Sequence, residues 1–226
     1  GVWLMYVFLS ERGMRWSEWG LLAVFVPLYY QLNVGFWTAL FGVWLMNRPM
    51  PDPLDLWRTL KPEDMEEDIT ASTAIIMPVF NEDVTRVYEG LRAIYLSLEQ
   101  TGQSKNFDFF ILSDSNQTSQ WIEEETAWLE LCRQLNAFGR IFYRKRRKPI
   151  NRKSGNVSDF CRRWGKRYRY MVVLDADSLM SGGLLTSMVR IMEKNPGIGI
   201  LQTFPKQIGA DTLLGRVMQF SQALYG

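Results

Sequence analysis

The chain contains no histidine. That excludes Ser-His-Asp triads, histidine general bases and histidine-bearing zinc sites, so its chemistry must rest on carboxylates, hydroxyls, Lys, Arg, Tyr or thiols. Cysteine is almost as scarce. Cys132 and Cys161 stand alone without Cys-x-x-Cys spacing, so they read as reduced thiols rather than a disulfide framework or a thiolate metal site. The net charge of +2 selects no partner by itself. No internal repeat or low-complexity tract divides the 226 residues, a length sufficient for one core-forming domain plus an appendage.

Charge of either sign is also missing from Trp19 to Met46, a run of 28 residues rich in Trp, Phe, Leu and Val. About 20 apolar residues in a helix cross a bilayer core, and Trp and Tyr are typical interface anchors. Gly1–Leu9 is apolar as well and reads as the tail of an earlier span, not a signal peptide, since it has no charged leading region or small-residue cleavage site. Residues 1–46 are therefore predicted to form a transmembrane hairpin in a lipid bilayer, with 19–46 as its second helix. The Pro-rich, acidic stretch 47–70 reads as a linker, and 71–226 as the N-terminal portion of a catalytic domain.

From Ser72 onward the pattern alternates between strand and helix. Strands are predicted at Thr73–Val79, Phe107–Leu112, Ile141–Tyr143, Tyr170–Leu174 and Ile198–Thr203, the fourth being of strongly buried type. Helices are predicted at Asp83–Gln100, Gln120–Phe138, Gly155–Trp164, Gly183–Lys194 and Leu213–Tyr225. The Gln120–Phe138 helix would turn Trp121, Ala127, Trp128, Leu131 and Leu135 inward. Repeated strand–helix units imply a mostly parallel sheet covered on both faces, an α/β fold.

In such sheets ligands sit outside the carboxyl ends of the strands. Three polar signals fall there: Asn81-Glu82 after the first strand, Ser113-Asp114-Ser115 after the second, and Asp175-Ala176-Asp177 after the fourth. One sheet edge would thus collect Glu82, Asp114, Asp175 and Asp177. Four carboxylates together need a counter-charge, and hard Mg²⁺ or Mn²⁺ prefers oxygen ligands. An Asp-x-Asp pair can bind such a metal with one carboxylate and orient ribose or a metal-bound water with the other, while the metal stabilises a leaving diphosphate.

Arg144–Arg169 holds twelve of the 26 Lys and Arg, with Asp159 as its sole acid. Arg152-Lys153-Ser154-Gly155-Asn156 is read as preceding a helix whose N-terminus would attract anions, so Lys153 is a candidate phosphate contact. Arg144–Lys148 reads as a solvated basic loop, or as a patch for anionic headgroups.

These strings match a known pattern. MPVFNED (77–83), ILSDS (111–115), RKSGN (152–156), DFCRRWG (159–165), YMVVLDADSLMSG (170–182) and QTFPK (202–206) resemble family 2 inverting glycosyltransferases, in particular the bacterial periplasmic-glucan synthases of that family. GFWTALFGVWLM (35–46) is similar to the membrane helix that precedes their catalytic domain. The resemblance implies a GT-A fold, a UDP-glucose donor bound on the cytoplasmic face of the bacterial inner membrane, transfer to a growing β-1,2-linked glucan acceptor, and export through the membrane helices. By motif, Glu82 and Asp114 would contact uridine, Lys153 the diphosphate, and Asp175 and Asp177 the nucleotide and an Mg²⁺ or Mn²⁺ ion. Acyl carrier protein is a partner type in this family. The family's Thr/Ser-Glu/His-Asp base motif and its Gln-x-x-Arg-Trp acceptor motif do not occur here, so no catalytic base is assigned and it is expected beyond Gly226.

Three other readings compete. A cellulose, hyaluronan or chitin-type synthase would share these motifs. A phosphohydrolase with an Asp nucleophile would place its Asp-x-Asp pair on the first strand, followed by Thr or Val, whereas here the pair is late and followed by Ser178. A basic nucleic-acid-binding surface would not be set beside an acidic cleft, so no nucleic acid is expected.

Overall fold

The computed structural model describes residues 1–11, 13–46, 60–65, 67–203 and 211–225. Residues 47–59 of the predicted linker, and 204–206 of the QTFPK string, lie outside them. The chain divides into two compact units, Gly1–Asp55 with Gln202–Gly226, and Leu56–Leu201.

The first unit is helical. Helix α1 spans Val2–Ser10 and α2 spans Trp16–Met46, starting three residues before the charge-free run because Glu18 sits in its first turn and accepts from the Arg15 N–H. Among the described residues one helix is long and apolar enough to cross a membrane, over Trp16–Trp44. Two of its polar side chains bond within the helix: Asn33 Nδ2 donates to the Tyr29 carbonyl at 2.7 Å and Thr38 Oγ1 to the Val34 carbonyl at 2.8 Å. Such self-satisfaction is what a helix in hydrocarbon requires. Helix α7, Leu213–Tyr225, lies beside α2 in this unit.

The second unit is a four-stranded parallel sheet in the order β3-β2-β1-β4. Its strands are β1 (Thr73–Val79), β2 (Phe107–Ser113), β3 (Ile141–Lys145) and β4 (Tyr170–Val173). Helices α3 (Val84–Glu99), α4 (Thr118–Leu135), α5 (Arg152–Trp164) and α6 (Gly182–Lys194) follow the four strands in turn. Side chains alternate across the pleat. Ile75, Met77, Val79, Phe107, Phe109 and Ile111 face a core shared with α3, α4 and α6. Ala74, Ile76, Phe110 and Leu112 face the opposite way, onto Phe160 of α5. Burial on both faces explains why β1 and β2 read as nearly unbroken apolar runs.

Two expectations fail at the β4 side. Tyr170–Leu174 is not a doubly buried strand: β4 is an edge, with Met171 38% and Val173 45% exposed on the face away from the main core. Ile198–Thr203 forms no strand, because among the described residues it has no ladder partner, and Ile200 is 89% exposed. An apolar run is only a strand when another strand accepts its hydrogen bonds.

Chain direction sets the cleft. From β1 the chain moves outward to β2 and β3, then crosses back by α5 to β4 on the other side of β1, so the order reverses between β1 and β4. Their ladder runs only from Thr73↔Tyr170 to Ile76↔Val173, closed by the Leu174 N–H donating to Ile76 O at 2.9 Å. Pro78, two residues on, turns its missing N–H toward this same side. It is tolerated in a central strand because β4 has already left, and no ladder bond is lost.

Helix α6 crosses α3 closely. A Cβ on Gly182 would lie 2.3 Å from the Ser97 carbonyl oxygen, and the Gly182 N–H donates to Ser97 Oγ at 2.9 Å. Gly182→Ala is expected to destabilise the protein by about 1–3 kcal/mol through overpacking. Gly183→Ala, where nothing lies within 4 Å, is expected to be neutral or stabilising. Thermal melting of the two variants side by side checks this, and equal melting points would sink the close-crossing argument.

Candidate functional site

The five predicted site residues line one cavity. It has a volume of about 860 Å³, and its walls include Pro78, Val79, Phe80 and Glu82 after β1, Asp114 and Asn116 after β2, Arg152, Lys153 and Asn156 on α5, and Asp175, Ala176 and Asp177 after β4. It opens where β1 and β4 part, the position expected of a ligand crevice in an open parallel sheet.

The carboxylates differ in environment. Asp114 is buried and paired with Arg146, whose Nε and one terminal nitrogen donate to its two oxygens at 2.9 and 2.6 Å. This fork fixes the plane of the carboxylate while leaving lone pairs on both oxygens. Asp175 is exposed and is paired with Lys153. Glu82 and Asp177 lie exposed on the rim. The counter-charge expected for these four carboxylates is supplied in part by the protein itself: Arg146 pairs with Asp114 and Lys153 with Asp175. Among the described residues no three carboxylate or thiol groups form a ready metal cage.

Arg144–Lys148 is not a solvated loop. It is the end of β3 and the turn after it, and alternation points Arg144 and Arg146 inward, with side chains only 14% and 11% exposed. Arg144 pairs with Asp159 and with the Asn156 side-chain oxygen, and Asn156 Nδ2 donates to the Leu112 carbonyl at 2.8 Å. Arg146 also donates to the Ile150 and Arg152 carbonyls at 3.0 and 3.2 Å, drawing the turn onto the start of α5. Neither arginine stands out in a basic run. The usable signal is the period of two, which turns alternate residues of a strand to one face.

Helix α5 begins at Arg152, so Lys153 and Ser154 lie in its first turn rather than before it. Two residues in succession, Asn151 and Arg152, hold positive φ of 59° and 46° at this start, and Asn81 after β1 holds 53°. Left-handed backbone in non-glycine residues costs of order 1–3 kcal/mol each and clusters at ligand clamps. Gly155 is required here, since its Cβ would lie 2.0 Å from Ile150 O and 2.9 Å from the Asn151 side chain.

Asp159 anchors the helix beneath the cavity. It is buried with Arg144 and accepts from Arg162 at 2.8 Å and Arg163 at 3.1 Å. Burial works to raise its pKa, but the bonds from Arg162 and Arg163 and the charge of Arg144 outweigh it and hold the carboxyl below its ordinary value. The sulfhydryl of Cys132 lies in the apolar core, and burial pushes its pKa up to about 11. It has no thiolate character at neutral pH.

A parallel sheet with a crevice at the carboxyl ends of its strands, where the strand order reverses, is that of an open, ligand-binding α/β domain. Within that class the chain belongs to glycosyltransferase family 2, for residues 74–225 match the family described as Glycosyl transferase family 2. Its sheet is accordingly of the GT-A type. Among curated proteins it is 51% identical over 213 residues to the "Glucans biosynthesis glucosyltransferase H" of Pseudomonas paraeruginosa, covering 92% of this chain and 24% of that protein. It is 49% identical over 224 residues to the protein of the same name from Ralstonia nicotianae, covering 99% and 26%. The corresponding protein of Pectobacterium carotovorum is 50% identical over 215 residues, at 92% and 24%. The chain thus spans about a quarter of the length of these relatives.

A depressed native pKa contributes stability that is present above the ordinary carboxylate range and lost as pH falls through the lowered folded value. The parent protein should therefore lose stability below about pH 4 as Asp159 protonates. Asp159→Asn should be less stable at neutral pH, with a shallower loss on the acid side. Melting temperatures from pH 7 to 3 test this, and parallel curves for parent and variant would contradict it.

Proposed function

We propose that this chain supplies the membrane-tethering helix and the donor-binding part of an inverting glucosyltransferase that transfers glucose from UDP-glucose to a growing β-1,2-linked periplasmic glucan. The observation that carries this reading is the convergence of Glu82, Asp114, Lys153, Asp175 and Asp177 on one cavity at the strand-order reversal. The relatives named for glucan biosynthesis support the sugar and a glucan product, and the apolar Trp16–Trp44 helix supports residence in a membrane; the inner membrane and the cytoplasmic side for the α/β unit rest on the family resemblance. An acyl carrier protein partner rests on the family resemblance alone.

On this reading Glu82 and Asp114 receive the uridine, with Asp114 presented in a fixed plane by Arg146. Lys153 and the free N–H groups of the first turn of α5 face the diphosphate. Asp175 and Asp177 fit a divalent ion as a donor set: two exposed hard oxygens one residue apart, leaving positions for water and phosphate oxygens as Mg²⁺ or Mn²⁺ prefers. They would hold the ion, which when bound supplies charge neutralisation for the departing diphosphate. Because the family's base motif does not occur in this sequence, the base that deprotonates the acceptor hydroxyl is proposed to lie in the part of the relatives that this chain does not span.

Titration calorimetry of the chain with UDP tests the reading. Binding should require Mg²⁺ or Mn²⁺, and Asp177→Asn should weaken it by about tenfold or more, the scale of one charge-assisted contact. Competition among nucleotide sugars on the full-length enzyme should select UDP-glucose; selection of UDP-N-acetylglucosamine would point to a chitin or hyaluronan type instead. A well-folded chain indifferent to UDP with either metal would defeat the proposal.

A further inference from the structure

The inner face of α4 carries a charge where its helical pattern calls for an apolar residue. Glu124 lies among Trp121, Ala127, Trp128 and Leu131 and is 3% exposed. It accepts from Ser115 Oγ at 2.5 Å and from the Tyr143 hydroxyl at 3.0 Å. Ser115 Oγ in turn accepts from the backbone N–H of Asn81 at 2.9 Å. Asn81 is the residue held at φ 53° two positions past the end of β1 and one before Glu82. The two loops are also clamped side by side: Asn81 Nδ2 donates to Asn116 Oδ1 at 2.9 Å, and the Asn116 N–H donates to Asn81 Oδ1 at 3.3 Å. Gln120, one turn before Glu124, donates from Nε2 to the Glu82 carbonyl at 2.6 Å.

We infer that Glu124 is a positioning residue for the cleft: through Ser115 it holds Asn81 in its left-handed conformation and so sets the loop bearing Glu82 against the loop bearing Asp114. The directionality of hydrogen bonds carries the argument. A hydroxyl has one proton and two lone pairs. With its proton committed to Glu124, Ser115 can present only a lone pair toward Asn81, which is what the Asn81 N–H needs. A second hydroxyl, Tyr143, also requires an acceptor there, and a carboxylate satisfies both. Burying a carboxylate is costly unless donors meet it, and nothing in the apolar packing of α4 requires one. Its partners explain its presence, and one of them, Ser115, leads to the cleft through Asn81.

The inference rests on the donor-cleft reading only for its functional readout, and the test separates the two. In the full-length enzyme, Ser115→Ala and Glu124→Leu should raise the KM for UDP-glucose by about tenfold, the scale of a lost hydrogen bond at a clamp, with the loss falling on KM more than on kcat. Glu124→Gln should largely rescue, because its amide oxygen can still accept from Ser115 while its NH₂ faces Tyr143, whose proton can turn to the Trp121 carbonyl 3.4 Å away. Hydrogen exchange at the Asn81 amide provides a readout independent of any nucleotide: in Ser115→Ala it should accelerate at least about tenfold beyond the amides of β1 and β2 in the same variant, which report the stability lost with a donor to Glu124. Unchanged Asn81 exchange in Ser115→Ala would overturn the inference, as would a folded Glu124→Gln that fails as badly as Glu124→Leu. If the parent protein binds no UDP but the Asn81 exchange responds as stated, the donor reading falls and the positioning role stands. Should Glu124→Leu not fold, Ser115→Ala carries the test by itself.

Discussion

The cleft depends on β1 and β4 separating after four residue pairs. Two strands that stayed paired to their ends would bring their loops into contact and close the space between them. Instead the ladder stops at Ile76 and Val173, Pro78 faces the gap without a lost bond, and the chain after Val173 carries Asp175 and Asp177 along one side of the opening. β1 and β2, by contrast, stay in register to Val79↔Ser113, and the Asp114 N–H still donates to Val79 O at 3.0 Å. One side of β1 is therefore a firm platform, and the other is a mouth. The carboxylates fall on both because the strand-end loops reach the opening from each side, and the start of α5 adds Lys153.

The basic stretch that surrounds this mouth does two jobs that composition cannot separate. At the end of β3 and just past it, Arg144 and Arg146 turn inward and bond backbone carbonyls and buried carboxylates. On the same strand Lys145 turns outward and lies 3.8 Å over the Trp121 ring. Further on, Arg162 and Arg163 reach back one turn to Asp159 while remaining mostly exposed. The result is a ring of cations around α5 in which the inner members are structural, and those at the helix N-terminus, Arg152 and Lys153, face the cavity.

Much of this was legible in the sequence, and the failures have physical causes. β1 reproduces its expected bounds because six apolar residues between Thr73 and the Phe80-Asn81 turn leave little choice. Glu82, Asp114, Asp175 and Asp177 could be gathered at one edge because strand ends are easy to place even when strand order is not. Arg146 is hidden because a run of cations reads as uniform composition, and only the strand's period of two separates the inward members from the outward ones. Ile198–Thr203 was taken for a strand because apolar character is local while strand pairing is not. Glu124 was overlooked because an inward helical face is traced through its apolar members, and a buried carboxylate on that face is visible only once Ser115 and Tyr143 are seen to meet it.

Two ion pairs share this cavity, and their burial separates their roles. Asp114–Arg146 has side chains 6% and 11% exposed and a two-point geometry. Removing either partner would strand the other charge in a low dielectric, which typically costs about 3–5 kcal/mol. Asp175–Lys153 has side chains 60% and 53% exposed, and a pair so open to water contributes about 0–1 kcal/mol. An incoming polyanion with its counter-ion could replace that second pair at little cost, taking Lys153 from Asp175 and offering Asp175 another cation. The first pair would be unaffected. If the cavity receives a diphosphate, its affinity therefore need not be spent on breaking what holds the site together: the exchangeable contact lies on the exposed α5–β4 side, while the fixed carboxylate stands on the platform made by β1 and β2.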